Sequence, residues 1–321
     1  MISNIYSFYL LLILFLITSF FSLYFYKKIA NSLNLIDISK DKLHSHDTPK
    51  YGFQFFFIII FFLLIDLNSS KYEQSIIIGY LISIFFLGYL DDRFNLKVSY
   101  RLILALFSTI TFFILNPMDF FISINFNIYT NTVLLIFFSL GFIYLVNITD
   151  GLNGLVISLF LYSLIYFFFK NGYSFDTFVS KLVIFSITIS FIYIIPNFLG
   201  ICFLGNIGSY MVATITSIVY MEAYKSSSLE YSDILLIYYL PLLDGLKVTL
   251  NRILKGKSPF KGDFSHLHLK IRNRKKLKIV FFMVVFSPSL INYFYSDFSI
   301  FIGIAYFFIY LFYVYLVRKN S

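Results

Sequence analysis

Repeated apolar segments of membrane-spanning length constrain this chain more than any other feature. A helix needs about 20 mostly apolar residues to cross the hydrocarbon of a bilayer. Segments close to that length lie near residues 5–26, 51–67, 75–90, 101–115, 131–147, 154–169, 177–195, 210–224, 231–250, 279–295 and 299–317. With 59% hydrophobic and 13% charged residues, the chain is too apolar for a water-soluble fold. We therefore predict an all-α polytopic membrane protein with about 11 transmembrane helices.

The chain is interpreted as one transmembrane domain over residues 1–321, because no linker, soluble segment or internal repeat separates the apolar segments. The first segment lacks a basic leader and a small-residue cleavage site, so we expect it to remain as a membrane helix. Cys202 is the single cysteine, which excludes an internal disulfide and any cysteine-based zinc cluster.

Positive charge is concentrated on one side of the predicted bundle. Of the 25 Lys and Arg residues, all but Lys71, Lys170, Lys181 and Lys225 lie on the side that holds the carboxyl tail. Lys and Arg mark cytoplasmic loops. We therefore predict a multi-pass plasma-membrane protein with its amino terminus outside and its carboxyl terminus in the cytoplasm. The net charge of +9 then reflects topology, and no nucleic-acid partner is expected.

Two adjacent carboxylates, Asp91 and Asp92, end the third apolar segment. Such a pair repels itself unless a cation or a basic group lies nearby, which suits a metal or phosphate site. An ordinary solvated helix end, helped by Arg93, is the alternative.

Two glycine-containing junctions lie on the same predicted side. Residues 147–154 join the fifth and sixth segments, where glycines allow tight turns, and the simple alternative is a helix-to-helix turn. Residues 196–209 lead into the eighth segment. Free backbone amides before a helix can bind an anion there, whereas capping of the helix by Ser209 is the alternative.

The last long loop and the segment before it carry further polar residues. Asp244 lies in an apolar segment, where a carboxylate is costly and by default a functional candidate, although Lys247 or Arg252 could pair with it. His266 and His268 lie among many cations, which favours a phosphorylated ligand over a metal. The basic run at residues 272–278 is explained by contact with anionic lipids.

In their order along the chain, these motifs resemble the polyprenyl-phosphate N-acetylhexosamine-1-phosphate transferase family, glycosyltransferase family 4, over residues 44–271. Residues 44–52 are similar to its first-loop histidine and Pro-Thr-Pro-Arg-Gly-Gly stretch. The family's Asp-Asp, Asn-x-x-Asp-Gly-x-Asp-Gly-Leu, Gly-Asp-x-Gly-Ser and final-loop motifs correspond to residues 88–94, 147–155, 203–209 and 241–268.

The resemblance implies attack by a polyprenyl phosphate on the β-phosphorus of a UDP-N-acetylhexosamine with Mg²⁺, releasing UMP and initiating a cell-envelope glycan. A homodimer is left open. The active site would lie on cytoplasmic loops. The implied catalytic residues are Asp91, Asp92 and Asp150, and the implied metal ligands are Asp91, Asp92 and Asn206. The implied substrate-binding residues are His44, Lys50, Asn147, Asn153, Asp244, Arg252, Ser265, His266 and His268.

The chain departs from the family pattern where Asn206 and Asn153 replace aspartates, and where Asp47 and Tyr51 replace a proline and a glycine. An amide oxygen brings no charge to Mg²⁺ and is a weaker ligand than a carboxylate. One expectation is therefore weakened metal binding, or binding re-ligated through Asp91, Asp92 and Asp150. The alternatives are a catalytically impaired paralogue that binds or regulates, and a transporter in which Asp244 marks an ion path.

Overall fold

The structure is a computed structural model that describes residues 2–38, 47–66, 72–117, 127–171, 177–225, 229–258, 265–271 and 275–319. Within these ranges it has thirteen α-helices and a two-stranded antiparallel sheet. The helices are α1 Ile2–Ser32, α2 Gly52–Ile65, α3 Tyr72–Phe94, α4 Val98–Leu115, α5 Ile128–Thr149, α6 Leu155–Asn171, α7 Phe178–Phe198, α8 Gly205–Lys225, α9 Tyr231–Ile237, α10 Tyr239–Leu254, α11 Leu267–Lys270, α12 Lys275–Phe294 and α13 Ser299–Lys319; the strands are β1 Ile36–Asp37 and β2 Thr48–Pro49.

The all-α polytopic membrane fold is confirmed. Seven helices of the described chain (α1, α3, α4, α5, α7, α12 and α13) are long and apolar enough to cross a membrane, and α2 and α6 are shorter apolar helices. Large apolar side chains such as Phe20, Phe107 and Phe312 are exposed on α1, α4 and α13. An apolar surface of this extent requires a lipid environment.

The ninth predicted segment is not one helix, because it breaks at Tyr238 between α9 and α10. Pro241 explains the break. Proline has no backbone N–H and its ring collides with the carbonyl four residues earlier, which is that of Ile237. The chain turns at Tyr238 and then restarts as α10.

Helix α8 lies at the centre of the bundle and packs against α2, α3, α5, α6 and α7. Every residue from Ile207 to Met221 is buried. Since it faces protein instead of lipid, α8 carries polar side chains, and the hydroxyls of Thr214 and Thr216 donate to carbonyls one turn earlier. This polarity keeps α8 out of the set of strongly apolar helices.

Glycines allow α2 and α3 to approach the start of α8 closely. A Cβ added at Gly52 would lie 2.3 Å from the carbonyl oxygen of Leu204, and one added at Gly88 would lie 2.5 Å from the Cα of Ile207. Both contacts are with backbone atoms, which cannot rotate away. The end of the bundle that carries the polar motifs is therefore held by close helix packing.

Partly buried ion pairs lie at the opposite end of the bundle. The ammonium of Lys170 lies 2.6 Å from the fully buried Asp233, which also accepts from Tyr166 and Asn292. Lys181 donates to both carboxylate oxygens of Asp66, at 2.7 and 2.6 Å. These groups have their hydrogen-bonding needs met and so serve as structural anchors.

Replacing Gly88 with alanine tests the close packing of α3 on α8. We expect Gly88→Ala to lower stability by about 1–3 kcal/mol, because the new methyl group overpacks a rigid backbone contact. Gly79 on the same helix has open space around it. Gly79→Ala is therefore the matched control and should be neutral or stabilising by up to about 1 kcal/mol. Thermal unfolding in detergent measures both, and equal effects would contradict the packing argument.

Candidate active site

The polar motifs meet at one end of the bundle, where α3, α5, α7 and α10 end and α2, α4, α6 and α8 begin. The structure brings together two clusters, one around Asp92 and one around Asp244. Of the predicted site residues, it describes Lys50, Asp91, Asp92, Asn147, Asp150, Asn153, Asn206, Asp244, Arg252, Ser265, His266 and His268. His44 lies outside the described residues.

Asp92 caps the amino terminus of α8. Its carboxylate accepts from the backbone amides of Asn206 and Ile207, at 3.0 and 2.9 Å, and from the ammonium of Lys50 at 2.9 Å. A carboxylate at this position satisfies unpaired amides and interacts favourably with the helix dipole. The expected anion-binding amides of this loop therefore donate to an internal aspartate.

The alternative that Ser209 caps α8 is wrong. Its hydroxyl donates to the side-chain oxygen of Asn147 at 2.8 Å, and so joins α8 to the end of α5.

Gly205 makes the contact with Asp92 possible. Its φ of 73° lies in the left-handed region, and a Cβ there would stand 2.7 Å from a carboxylate oxygen of Asp92. Glycine is the residue that meets both conditions.

Asp91 is buried beside Asp92 and has separate partners. It accepts from the hydroxyl of Tyr210 at 2.8 Å, from the guanidinium of Arg101 at 3.3 Å and from the amide of Leu96 at 3.1 Å. The exposed fraction is 1% for Asp91 and 6% for Asp92. A solvated helix end is therefore the wrong interpretation of this pair, and Arg93 donates to Tyr89 instead.

Asp150 follows α5 as its C-cap residue and is half-buried. In the described part of the chain, no group donates a hydrogen bond to its carboxylate. Burial and the negative charge of Asp92 raise the pKa of this carboxyl well above its usual range, and the nearby Lys50 opposes the shift. Asp150 is thus a carboxyl group whose oxygens accept no hydrogen bond from the described chain, unlike those of Asp91 and Asp92.

The turn after Asp150 is tied to the loop before α8. The backbone amide of Gly154 donates to the side chain of Asn197 at 2.8 Å, and Asn197 donates to the carbonyl of Cys202 at 3.0 Å. The side-chain nitrogen of Asn153 lies 2.9 Å from the point where a Cβ added at Gly200 would stand. Asn153 therefore stands in the turn next to this loop.

Asp244 organises the second cluster. Its carboxylate lies 3.1 Å from Nδ1 of His266 and accepts from the amide of Leu267 at 3.0 Å, and the hydroxyl of Tyr310 donates to it at 3.3 Å. These contacts hold α10, α11 and α13 together. They also give a structural reason for a carboxylate in this segment, besides the pairing with Lys247 or Arg252 that the sequence suggests.

His268 connects the two clusters. Its Nδ1 is 3.6 Å from the carboxylate of Asp244. Its Nε2 is buried and lies 2.9 Å from the point where a Cβ added at Gly151 would stand. This nitrogen has no hydrogen-bond partner in the described chain. Burial lowers the pKa of the His268 imidazole, and Asp244 partly offsets this effect. The ring is therefore neutral at neutral pH. Asp244, His266 and His268 are close enough to share a cation, but Leu267 and Tyr310 already bond the carboxylate.

A groove of about 800 Å³ runs between α5 and α10 and ends at these clusters. Its polar end is formed by Arg101, Asn147, Arg252 and His266. Away from that end it is lined by apolar side chains of α5, α9 and α10, among them Phe137, Phe138, Leu235, Leu242 and Leu246.

Only some of the residues at this site suit the Mg²⁺ that the resemblance implies. The carboxylates of Asp91 and Asp92 already accept several hydrogen bonds each, and Asn206 offers a neutral amide. Mg²⁺ is commonly held by one or two carboxylates together with substrate phosphates. Asp150 satisfies that minimal requirement. The metal assignments to Asp91, Asp92 and Asn206 stay predictions.

Sequence reasoning missed Arg101, Tyr210 and Tyr310 as site residues. Arg101 and Tyr210 bond Asp91, and Tyr310 bonds Asp244 from the last helix. The available signal was weak, since a tyrosine or arginine near a membrane edge is common. Only the packing of distant helices reveals these contacts.

Comparison with known proteins identifies a family model and a relative that are similar to this chain. The family model for glycosyl transferase family 4 matches residues 74–224. A Sulfolobus acidocaldarius protein, provisionally named UDP-N-acetylglucosamine–dolichyl-phosphate N-acetylglucosaminephosphotransferase, is 29% identical over 215 residues. The aligned region covers 63% of this chain and 61% of the length of that relative. The matched residues include Asp91, Asp92, Asn147, Asp150 and Asn206.

Replacing Tyr210 with phenylalanine tests the support of Asp91. We expect Tyr210→Phe to lower stability by about 1.5–3 kcal/mol, because a buried carboxylate loses a charged hydrogen bond. Tyr220 is the matched control on α8, since its buried hydroxyl has no partner in the described chain. Tyr220→Phe should have little effect. Thermal unfolding of the detergent-solubilised variants distinguishes the two, and a harmless Tyr210→Phe would contradict this role.

Proposed function

We propose that this chain is a member of glycosyl transferase family 4, whose family model matches residues 74–224. We propose further that it transfers a sugar-1-phosphate from a nucleotide sugar to a polyprenyl phosphate in a membrane. More specifically, the donor is a UDP-N-acetylhexosamine, the other product is UMP, and the lipid-linked sugar initiates a cell-envelope glycan. The name of the Sulfolobus relative supports a UDP-sugar donor and a polyprenyl-type acceptor.

The groove between α5 and α10 is the observation that carries this proposal. Its apolar length suits a prenyl chain, and its polar end presents Arg101 and Arg252, which suit the phosphate that ends the chain. A lipid phosphate bound in this way has its reactive oxygen at the edge of the membrane. Asn147 lines this end of the groove and accepts a hydrogen bond from Ser209 of α8, the helix whose start Asp92 caps.

The reaction joins two anions, so its main demand is charge neutralisation. An oxygen of the lipid phosphate forms a bond to the β-phosphorus of the donor, the bond from that phosphorus to the bridging oxygen breaks, and UMP leaves with that oxygen. Lys50 lies 14% exposed beside Asp92 and is placed to neutralise a diphosphate. Asn147 and His266 line the polar end of the groove, and His268 lies beside the Asp244 carboxylate that contacts His266. All three are assigned to donor binding. When bound, Mg²⁺ supplies further neutralisation of the diphosphate.

The cytoplasm is the proposed location of the active site, in an enzyme of the plasma membrane with its amino terminus outside. Uridine nucleotides are cytoplasmic metabolites of the cell, and the site end of the bundle carries most of the Lys and Arg residues.

A catalytically impaired relative is the second candidate, and the neutral Asn206 and Asn153 favour it. Each removes one negative charge from the place where the family has an aspartate. The fold and the hydrogen bonds around Asp92 would survive this loss, since the backbone amide of residue 206, and not its side chain, contacts Asp92.

Release of UMP tests the activity directly. Purified protein receives a polyprenyl phosphate, Mg²⁺ and a panel of UDP-N-acetylhexosamines. We expect release by the native chain, and a fall of about 10²-fold or more in Asp150→Asn and Asp91→Asn. Glu73→Gln is the matched control, because Glu73 is an exposed carboxylate at the far end of α3.

The outcomes separate the two candidates. Release by native protein establishes the transferase and identifies its sugar. No release from native protein, but release from Asn206→Asp, favours the impaired relative. If neither the native protein nor any folded variant releases UMP, both an active transferase and a transferase weakened only by Asn206 are contradicted.

Filling the groove tests the acceptor site. Gly141 lines the groove and has open space around its Cβ position, so Gly141→Leu adds bulk without a clash. We expect the KM for a long-chain polyprenyl phosphate to rise about tenfold, a loss of about 1.4 kcal/mol in binding. A short-chain acceptor should be unaffected. Gly79→Leu, at an open position outside the groove, is the control, and an unchanged KM in Gly141→Leu would place the acceptor elsewhere.

A further inference from the structure

We propose that Tyr310 on α13 is a positioning residue for the donor site. Its hydroxyl orients the carboxylate of Asp244, which in turn fixes the imidazole of His266 and leaves one ring nitrogen for the nucleotide sugar. The proposal rests on the proposed function, because His266 is assigned there to donor binding. It adds a residue that lies 66 positions after Asp244 in the chain and outside the loop that carries the histidines.

The histidines lie on a short segment whose place depends on Asp244. Helix α11 has four residues, Leu267–Lys270, and a helix of that length is not stable by itself. The backbone amide of Leu267 donates to both oxygens of Asp244, at 3.1 and 3.0 Å. Asp244 therefore ties the start of α11, and with it His266, to α10.

The two carboxylate oxygens of Asp244 contact different side chains. Oδ2 lies 3.1 Å from Nδ1 of His266, and Oδ1 accepts from the hydroxyl of Tyr310 at 3.3 Å. The terminal torsion of an aspartate has broad minima, so the partners of its oxygens decide how the carboxylate is turned. The bond from Tyr310 to Oδ1 thus keeps Oδ2 directed at His266.

His268 competes for the same oxygen. Its Nδ1 lies 3.6 Å from Oδ2 of Asp244, and its ring stacks on that of His266 with the centroids 5.4 Å apart. A modest rotation of the carboxylate would exchange one imidazole for the other. Asp244, Tyr310 and both histidines are at most 4% exposed, so water does not readily replace a lost partner. The hydroxyl of Tyr310 therefore selects His266 as the partner of Asp244.

This geometry determines which ring nitrogen of His266 carries a proton. A carboxylate accepts hydrogen bonds and donates none, so Nδ1 is the protonated nitrogen. No group in the described chain bonds Nε2 of His266, and the residue lines the polar end of the groove. Nε2 is therefore the atom that remains for the donor.

Tyr313 provides a matched control on the same helix. It is buried like Tyr310, and its hydroxyl donates to the carbonyl of Leu277 and not to Asp244. Tyr310→Phe keeps the ring, whose centroid lies 5.6 Å from the ammonium of Lys247, and removes only the hydroxyl. Tyr313→Phe likewise removes one hydroxyl that bonds α13 to the bundle. We expect both variants to lose stability, but only Tyr310→Phe to disturb Asp244.

Donor binding gives the first test. Full-length protein receives polyprenyl phosphate, Mg²⁺ and each member of a panel of UDP-N-acetylhexosamines. UMP release gives the KM of both substrates, and equilibrium dialysis gives the Kd of the donor. We expect Tyr310→Phe to raise the KM and Kd of the donor about five- to tenfold, because a buried hydrogen bond to a carboxylate is lost. The KM of the acceptor should stay native, and Tyr313→Phe should keep native values for both substrates.

Histidine spectra give a second test that does not depend on activity. The chain has four histidines, so ¹⁵N-histidine labelling produces few signals. Those of His266 are identified by their loss in His266→Gln. At alkaline pH, where imidazoles are neutral, solid-state NMR in lipid should show only the Nδ1–H tautomer of His266 in native protein and in Tyr313→Phe. Tyr310→Phe should show a mixture of tautomers.

A combined variant shows whether Tyr310 acts through His266. His266→Gln removes the imidazole, so adding Tyr310→Phe should then have no further effect on the Kd of the donor. Additive effects of the two substitutions would overturn the proposal, as would His266 signals that Tyr310→Phe leaves unchanged. A donor Kd that rises equally in Tyr313→Phe would reduce Tyr310 to general packing and overturn it too.

The same measurements distinguish this proposal from the proposed function. Donor binding that weakens in Tyr310→Phe, in a native protein that releases no UMP, would support the positioning role and contradict the transferase activity. UMP release with a native donor KM in Tyr310→Phe would support the activity and contradict the positioning role. Native protein that binds none of the donors would contradict both the proposed function and the donor site assigned to His266.

Discussion

The contact between Asp92 and the start of α8 is the interaction on which the rest of the site depends. It joins α3 to the central helix, satisfies two amides that would otherwise be unpaired and positions Lys50. The contact requires Gly205 in a left-handed conformation and close approach of α3 at Gly88. Buried polar groups of this kind are costly when left unpaired. The arrangement of the site therefore depends on the hydrogen bonds that Asp92 accepts from the first amides of α8.

The two polar clusters have different roles: the cluster around Asp92 pairs opposite charges, and the cluster around Asp244 positions the last loop. Around Asp92 and Asp91, each carboxylate is matched by a cation, so this part of the site is rigid and nearly neutral. Around Asp244, one carboxylate holds His266 and the amide of Leu267, and so presents the last loop to the end of the groove. The carboxyl group of Asp150 accepts no hydrogen bond from the described chain and interacts electrostatically with Asp92 and Lys50. A preorganised site in which one polar group has no hydrogen-bond partner is suited to a charged ligand.

The sequence was sufficient to predict the membrane fold and where most of its helices lie, because apolar segments of that length have few other solutions in lipid. The break at Tyr238 was visible in principle, since Pro241 marks it. The partners of Asp91 and Asp92 were not predictable. Asp92 lies 114 residues before Asn206 in sequence, and no local pattern reports a contact over that distance. Tyr310 is similar, because it reaches Asp244 from the last helix.

The polarity of α8 has a consequence for how the chain is assembled. A helix with buried threonine and serine residues, capped by an aspartate from α3, is less stable in lipid by itself than the strongly apolar helices around it. The helices that pack against α8 all precede it in the chain, so they leave the ribosome before it. The order of the elements thus makes the surface that buries α8 available when α8 emerges.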